Sequence, residues 1–220
     1  MSVRSSLESI KQTLPKHVTL VAVSKTKPQA SILEAYDGGQ RIFGENKIQE
    51  MTEKWEALPK DIEWHMIGHV QRNKVKYMAG FVSLIHGVDS LKLLREINKQ
   101  AKKHNRTIPC LLQIHIAREE TKFGLDQTEL NDLVRSGEFK ELGHVDIVGL
   151  MGMATYTHNQ DQIRNEFRYL KSIFDKLKGS LPHVSVLSMG MSGDYKIAVE
   201  EGSTMVRIGS SIFGTRDYPH

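Results

Sequence analysis

Eight short apolar runs alternate with stretches of helical spacing along this chain, and that alternation constrains the fold more than any single motif. The runs are VTLVAV at 18–23, RIF at 41–43, IEWHM at 62–66, FVSLIH at 81–86, PCLLQIHI at 109–116, HVDIVGL at 144–150, HVSVLSM at 183–189 and TMVRI at 204–208. Branched and aromatic residues in short bounded runs predict strands. Between them, 159–177 carries Ile163, Phe167, Leu170, Phe174 and Leu177 at the spacing of one helix face. A further helix is expected to start at Asp89 as N-cap, turning Leu94, Ile97 and Ala101 inward. Helices are also expected near 3–13, 28–36, 45–57, 71–79, 126–136 and 193–200. Regular β/α alternation predicts a single (β/α)8 TIM barrel over residues 1–220, with an extra N-terminal helix. An open doubly wound sheet is the alternative, but the glycine fingerprint that usually follows its first strand is absent.

Composition narrows the functional classes. A hydrophobic share of 39% and a charged share of 25% suit a soluble globular chain. Thirty Lys and Arg against 26 Asp and Glu give a net charge of +4, compatible with a small anionic ligand. The basic run KQAKKHNR at 99–106 falls at a helix end and has no interleaved aromatics, so no nucleic-acid partner is expected. Cys110 is the only cysteine, which rules out an intramolecular disulfide and fits a reducing, cytoplasmic setting. No run is long and apolar enough for a bilayer, so no membrane association is expected.

A barrel places ligand-binding groups just after its strands, and the unusual residues fall there. Ser24, Lys25 and Thr26 follow the first run; Gly44, Glu45 and Asn46 the second; Gly68 and His69 the third; His86 and Asp89 the fourth. MGMATY follows the sixth, GMSGD the seventh, and Gly209, Ser210 and Ser211 the eighth. Alternation puts Val21, Val23 and Lys25 on one side of the first strand. If that side is the interior, burial pushes an amine toward its neutral form, which attacks carbonyls to give a Schiff base. The plainer alternative is a lysine that snorkels into solvent. Gly209, Ser210 and Ser211 at a short helix start, with Ser192 nearby, make an anion site at the barrel's usual phosphate position, or else two tight turns with capping serines. Arg207 interrupts the apolar final strand. Facing inward it requires a ligand or a carboxylate; facing outward it is a surface cation. Amine, phosphate cradle and arginine together suggest pyridoxal 5′-phosphate (PLP).

The segments AVSKTKP, FGENKIQE, WHMIGHVQRNK, GLMGMATYT, LSMGMSGDY and VRIGSSIFG, in that order, resemble the signatures of the pyridoxal-phosphate homeostasis protein family, whose barrel is like the N-terminal domain of alanine racemase. The resemblance implies a PLP barrel of fold type III, with the cofactor held as a Schiff base on Lys25. It further implies that Ser192, Gly209 and Ser210 hold the phosphate, that Arg207 faces the pyridine nitrogen, and that Asn46 and His65 lie near the cofactor. The family keeps the PLP supply in balance and has no settled reaction, which points to a non-enzymatic carrier with PLP-dependent apoenzymes as recipients. The chain departs slightly, with Val70 where leucine is common.

The enzyme alternative is a PLP-dependent amino-acid racemase. Such racemases use a second domain, often with a tyrosine base, whereas here only TRDYPH follows the last predicted helix. A phosphate-binding barrel enzyme without PLP is a third class. GMSGD has Asp194 where a nucleophile elbow needs its last glycine. HMIGH spaces His65 and His69 like a zinc pair but lacks the glutamate.

Overall fold

A strand with apolar residues on both faces must be covered on both sides, and a closed parallel ring inside a shell of helices does this. The computed structural model describes residues 2–119 and 121–214. It begins with α1 (Val3–Thr13), β1 (Thr19–Val23), α2 (Gln29–Asp37), β2 (Ile42–Glu45), α3 (Ile48–Ala57) and β3 (Glu63–Met66). A 3₁₀ turn (Arg72–Lys74) leads into α4 (Val75–Met78), β4 (Leu84–Val88), α5 (Leu91–Lys103) and β5 (Ile108–Ile114). Then come α6 (Gln127–Arg135), α7 (Gly137–Lys140), β6 (Val145–Gly152), α8 (Gln160–Ser180), β7 (Val186–Met191), α9 (Tyr195–Glu200), β8 (Met205–Ile208) and α10 (Ser210–Phe213). Each strand pairs in parallel with the next, and β8 closes on β1 through Leu20↔Val206 and Val21↔Arg207. The expected barrel and its extra N-terminal helix are thus both present.

Two apolar regions follow from the alternation along each strand. Outward residues such as Phe43 and Trp64 pack with Leu94, Ile97, Phe167 and Leu170 of the helices, all fully buried. Inward residues Val21, Leu84, Leu111, Met151 and Met205 form a separate plug inside the ring. At about 25 cal/mol per Å² of apolar surface, the outer shell supplies most of the driving force, and the plug leaves the C-terminal end of the ring to polar groups.

Among the boundaries that differ from the sequence expectation, two bear on the site. The fourth strand starts at Leu84 rather than Phe81, because the Phe81 and Val82 N–H groups donate to the Met78 carbonyl and close the end of α4. Phe81 instead stacks on Trp55, at 4.5 Å between ring centroids. His86 consequently lies within β4, not after it. The N-cap of α5 is Ser90, whose hydroxyl accepts from the Leu93 N–H; Asp89 pairs with His69 at 3.5 Å instead.

Candidate cofactor site

β1 leads into a braced turn that carries Lys25. The Lys27 N–H donates to the Ser24 carbonyl at 3.0 Å, and Thr26 sits at φ 63°, a left-handed conformation that a β-branched residue adopts only under constraint. The constraint comes from α3. Glu50 Oε1 accepts the Thr26 N–H at 2.6 Å and the Lys54 ammonium at 2.7 Å. Lys54 also donates to the Ser24 carbonyl at 2.8 Å and to Glu45 Oε1 at 2.7 Å, while the Ser24 hydroxyl donates to the same Glu45 oxygen at 2.6 Å. Glu45 is fully buried, its Oε2 has no hydrogen-bond partner among the described residues, and burial pushes its pKa up against the pull of Lys54. A buried ion pair behind β1 and β2 thus fixes the backbone on either side of Lys25.

The rim beside this turn is built by β7 and β8. Gly190 at φ 97° turns the chain at the end of β7, and Asp194 Oδ1 accepts the Met191 N–H at 2.6 Å. Ser192 is thereby brought to the last strand, where its hydroxyl accepts the Gly209 N–H at 3.2 Å. A Cβ on Gly209 would come within 3.2 Å of both Val23 Cβ and the Val23 carbonyl, so this turn abuts the end of β1 closely. Ser210 and Ser211 open α10, where helix geometry leaves their N–H groups without intrahelical acceptors. The Lys25 strand and the Ser192–Gly209–Ser210 cluster are therefore neighbours.

Below the rim lies a polar layer that only the closed ring assembles. Arg207 points inward, nearly inaccessible, with Nη1 donating to the Ser188 carbonyl at 2.9 Å and hydroxyl at 2.5 Å, and Nη2 to the Gly152 carbonyl at 3.2 Å. Burial pulls its pKa down to about 10, so it remains cationic at neutral pH. His86 Nδ1 lies 3.0 Å from Ser188 Oγ, and His86 Nε2 lies 3.1 Å from His65 Nδ1. Burial lowers His65 to about 3 and His86 well below its ordinary value, helped for His86 by the nearby His65 and Arg207. Asn46 follows β2 on the rim, its backbone so close to Gly68 that a Cβ there would meet the Asn46 carbonyl at 2.4 Å. His69 leaves this group and stacks on Phe123, with centroids 4.1 Å apart.

The residues assigned to the cofactor from sequence, Lys25, Asn46, His65, Ser192, Arg207, Gly209 and Ser210, lie on β3 and β8 or in the segments that follow β1, β2, β7 and β8. Sequence reasoning missed the roles of His86, Ser188, Glu45, Glu50 and Lys54. A polar residue interrupting an apolar strand was the available signal for His86 and Ser188, the same signal that drew notice to Arg207. Among the described residues, no helix is long and apolar enough to cross a membrane.

Comparison with known proteins agrees with this architecture. Residues 2–217 match the family model described as alanine racemase, N-terminal domain. The chain is 43% identical over 205 residues to the pyridoxal phosphate homeostasis protein of Aquifex aeolicus, covering 90% of this chain and 87% of that one. It is 42% identical over 212 residues to the human pyridoxal phosphate homeostasis protein, covering 90% and 77%. The structure of PipY from Synechococcus elongatus with PLP bound superimposes with a TM-score of 0.88 at 34% identity, covering 96% of this chain and 100% of that one.

Proposed function

This chain belongs to the pyridoxal phosphate homeostasis protein family, and we propose that it carries PLP covalently on Lys25, with Ser192, Gly209 and Ser210 around the phosphate and Arg207 at the ring nitrogen. The observation that carries this reading is the abutment of the Gly209 turn on Val23, two residues before Lys25. It brings phosphate donors and the amine-bearing turn to one rim. A second feature supports the fit: the hydrogen bonds of the interior Arg207 cation among the described residues go to neutral groups, with Asp194 the carboxylate whose charge acts on it, so an acceptor on a ligand would complete its shell.

When bound, PLP supplies an aldehyde that links reversibly to amines and a ring that can withdraw electrons. Lys25 would supply the amine that holds the aldehyde group. The hydroxyl and N–H donors of the Ser192–Gly209–Ser210 cluster orient the phosphate without a metal. Arg207 donates and cannot accept, so the ring nitrogen would accept from it, stay unprotonated and withdraw electrons less. That suits storage and release to PLP-dependent apoenzymes better than turnover of amino acids.

Borohydride reduction of the PLP-loaded protein, followed by peptide mass spectrometry, is expected to find a pyridoxyl group on Lys25; an adduct on another lysine, or none, would overturn the assignment. Single-enantiomer amino acids incubated with the loaded protein are expected to keep their optical activity. Racemisation lost in Lys25→Ala would replace the carrier reading with the racemase one.

A further inference from the structure

The hydrogen bonds across the barrel floor have a direction, and one end sets it. A guanidinium can only donate, so Ser188 Oγ accepts from Arg207 Nη1 and still has its own proton to place. Ser188 is fully buried, and His86 Nδ1 at 3.0 Å is the acceptor within reach. If that nitrogen accepts, neutral His86 carries its proton on Nε2 and donates it to His65 Nδ1 at 3.1 Å. His65 then keeps its own proton on Nε2. The opposite direction would leave the Ser188 hydroxyl proton without an acceptor in a sealed site, and so would a cationic His86.

We propose that Ser188 and His86 are positioning residues that pin His65 as the neutral Nε2–H tautomer, making it a hydrogen-bond donor to an anionic oxygen on a flat ring in the pocket. His65 is only 4% exposed, and with Nδ1 facing His86 its Nε2 is the ring nitrogen turned away from the chain. On the PLP reading Arg207 at the other end meets the ring nitrogen, so the chain would link two polar groups of one ligand. Burial keeps both rings uncharged; the groups facing His86 are His65, Ser188 and the Arg207 cation, and among the described residues no carboxylate pairs with either ring to oppose this. The ligand half of this proposal rests on the PLP reading of the pocket; the tautomer half does not.

Two arms separate the halves. Protein labelled with ¹⁵N in its histidine rings, without PLP, is studied by long-range ¹H–¹⁵N correlation, which distinguishes the two neutral tautomers from the cation. Both rings are expected as Nε2–H tautomers from about pH 5.5 to 8, with Ser188→Ala redistributing His86 and His65 together and Ser188→Thr restoring the parent pattern. An Nδ1–H or cationic ring in that range, or tautomers unmoved by Ser188→Ala, would overturn the proposal. In the second arm the visible absorption of PLP-loaded protein is recorded. Ser188→Ala is expected to shift the band while the adduct stays on Lys25, and an unchanged band would overturn the donor role. If the parent protein takes no PLP on Lys25, the functional reading falls, and the ring-nitrogen spectra still decide the tautomers.

Discussion

Lys54→Met removes the cation from the ion pair behind the Lys25 turn while keeping most of the length of the side chain. Lys54 and Glu45 are 7% and 0% exposed at their side chains and 2.7 Å apart, and the second Glu45 oxygen is already without a hydrogen bond. Breaking a buried pair by removing one partner costs about 3–5 kcal/mol, which for a chain of this size lowers Tm by roughly 6–20 °C. The loss depends on pH with a definite sign. Burial holds the folded pKa of Glu45 above its ordinary value even with Lys54 present, and the loss of Lys54 removes the charge and hydrogen bond that pull it down. A carboxyl whose folded pKa exceeds the unfolded value, about 4.3, binds more protons folded than unfolded between the two. The variant's stability is therefore best below that window and is lost as pH rises through it, by at most about 1.4 kcal/mol per pH unit. Urea titrations of parent and variant from pH 5 to 8, referenced to each other at each pH, measure the deficit. It should be larger at pH 8 than at pH 5, and adding Glu45→Gln should recover most of it and remove its pH dependence. A deficit below about 1 kcal/mol at pH 8, or one that shrinks as pH rises, would refute the idea that this pair braces the turn.

Three other outcomes are expected. Gly149→Ala would put a Cβ 1.7 Å from the Val186 carbonyl oxygen, between β6 and β7, and should cost more than about 4 kcal/mol; a melting curve close to the parent's would contradict the strand spacing. Cys110 is fully buried, and burial pushes its thiol pKa up, so a disulfide reagent should label it only as the protein unfolds, whereas rapid labelling of native protein would refute that placement. His65 titrates near 3 when folded and near about 6.5 when unfolded, so stability should fall as pH drops through that window, by up to about 1.4 kcal/mol per unit. His65→Phe should flatten this slope; an unchanged slope would mean the ring is not buried in neutral form.

Much of the fold was legible because its signals are local. Alternation in VTLVAV and the helical spacing of Ile163, Phe167 and Leu170 depend on residues within a few positions of one another, and parallel closure follows from their order. The Lys25, Ser192, Arg207 and Gly209 positions were readable for the same reason, since each is an odd residue at the end of an apolar run. Phe81 misled as a strand start because its N–H closes on the carbonyl of Met78, three residues back at the end of α4 and outside the apolar run.

Sequence by itself determined eight strands, the helices between them, and a rim of lysine, serines and glycines at the strand ends. Only the tertiary structure decided that Glu45 and Lys54 form a buried pair behind the turn, and that His65, His86, Ser188 and Arg207 form one chain of contacts. Along the sequence those contacts span 21, 102 and 19 positions. Strand closure sets which interior side chains share a level of the ring, and that register arises between strands, where no local periodicity records it.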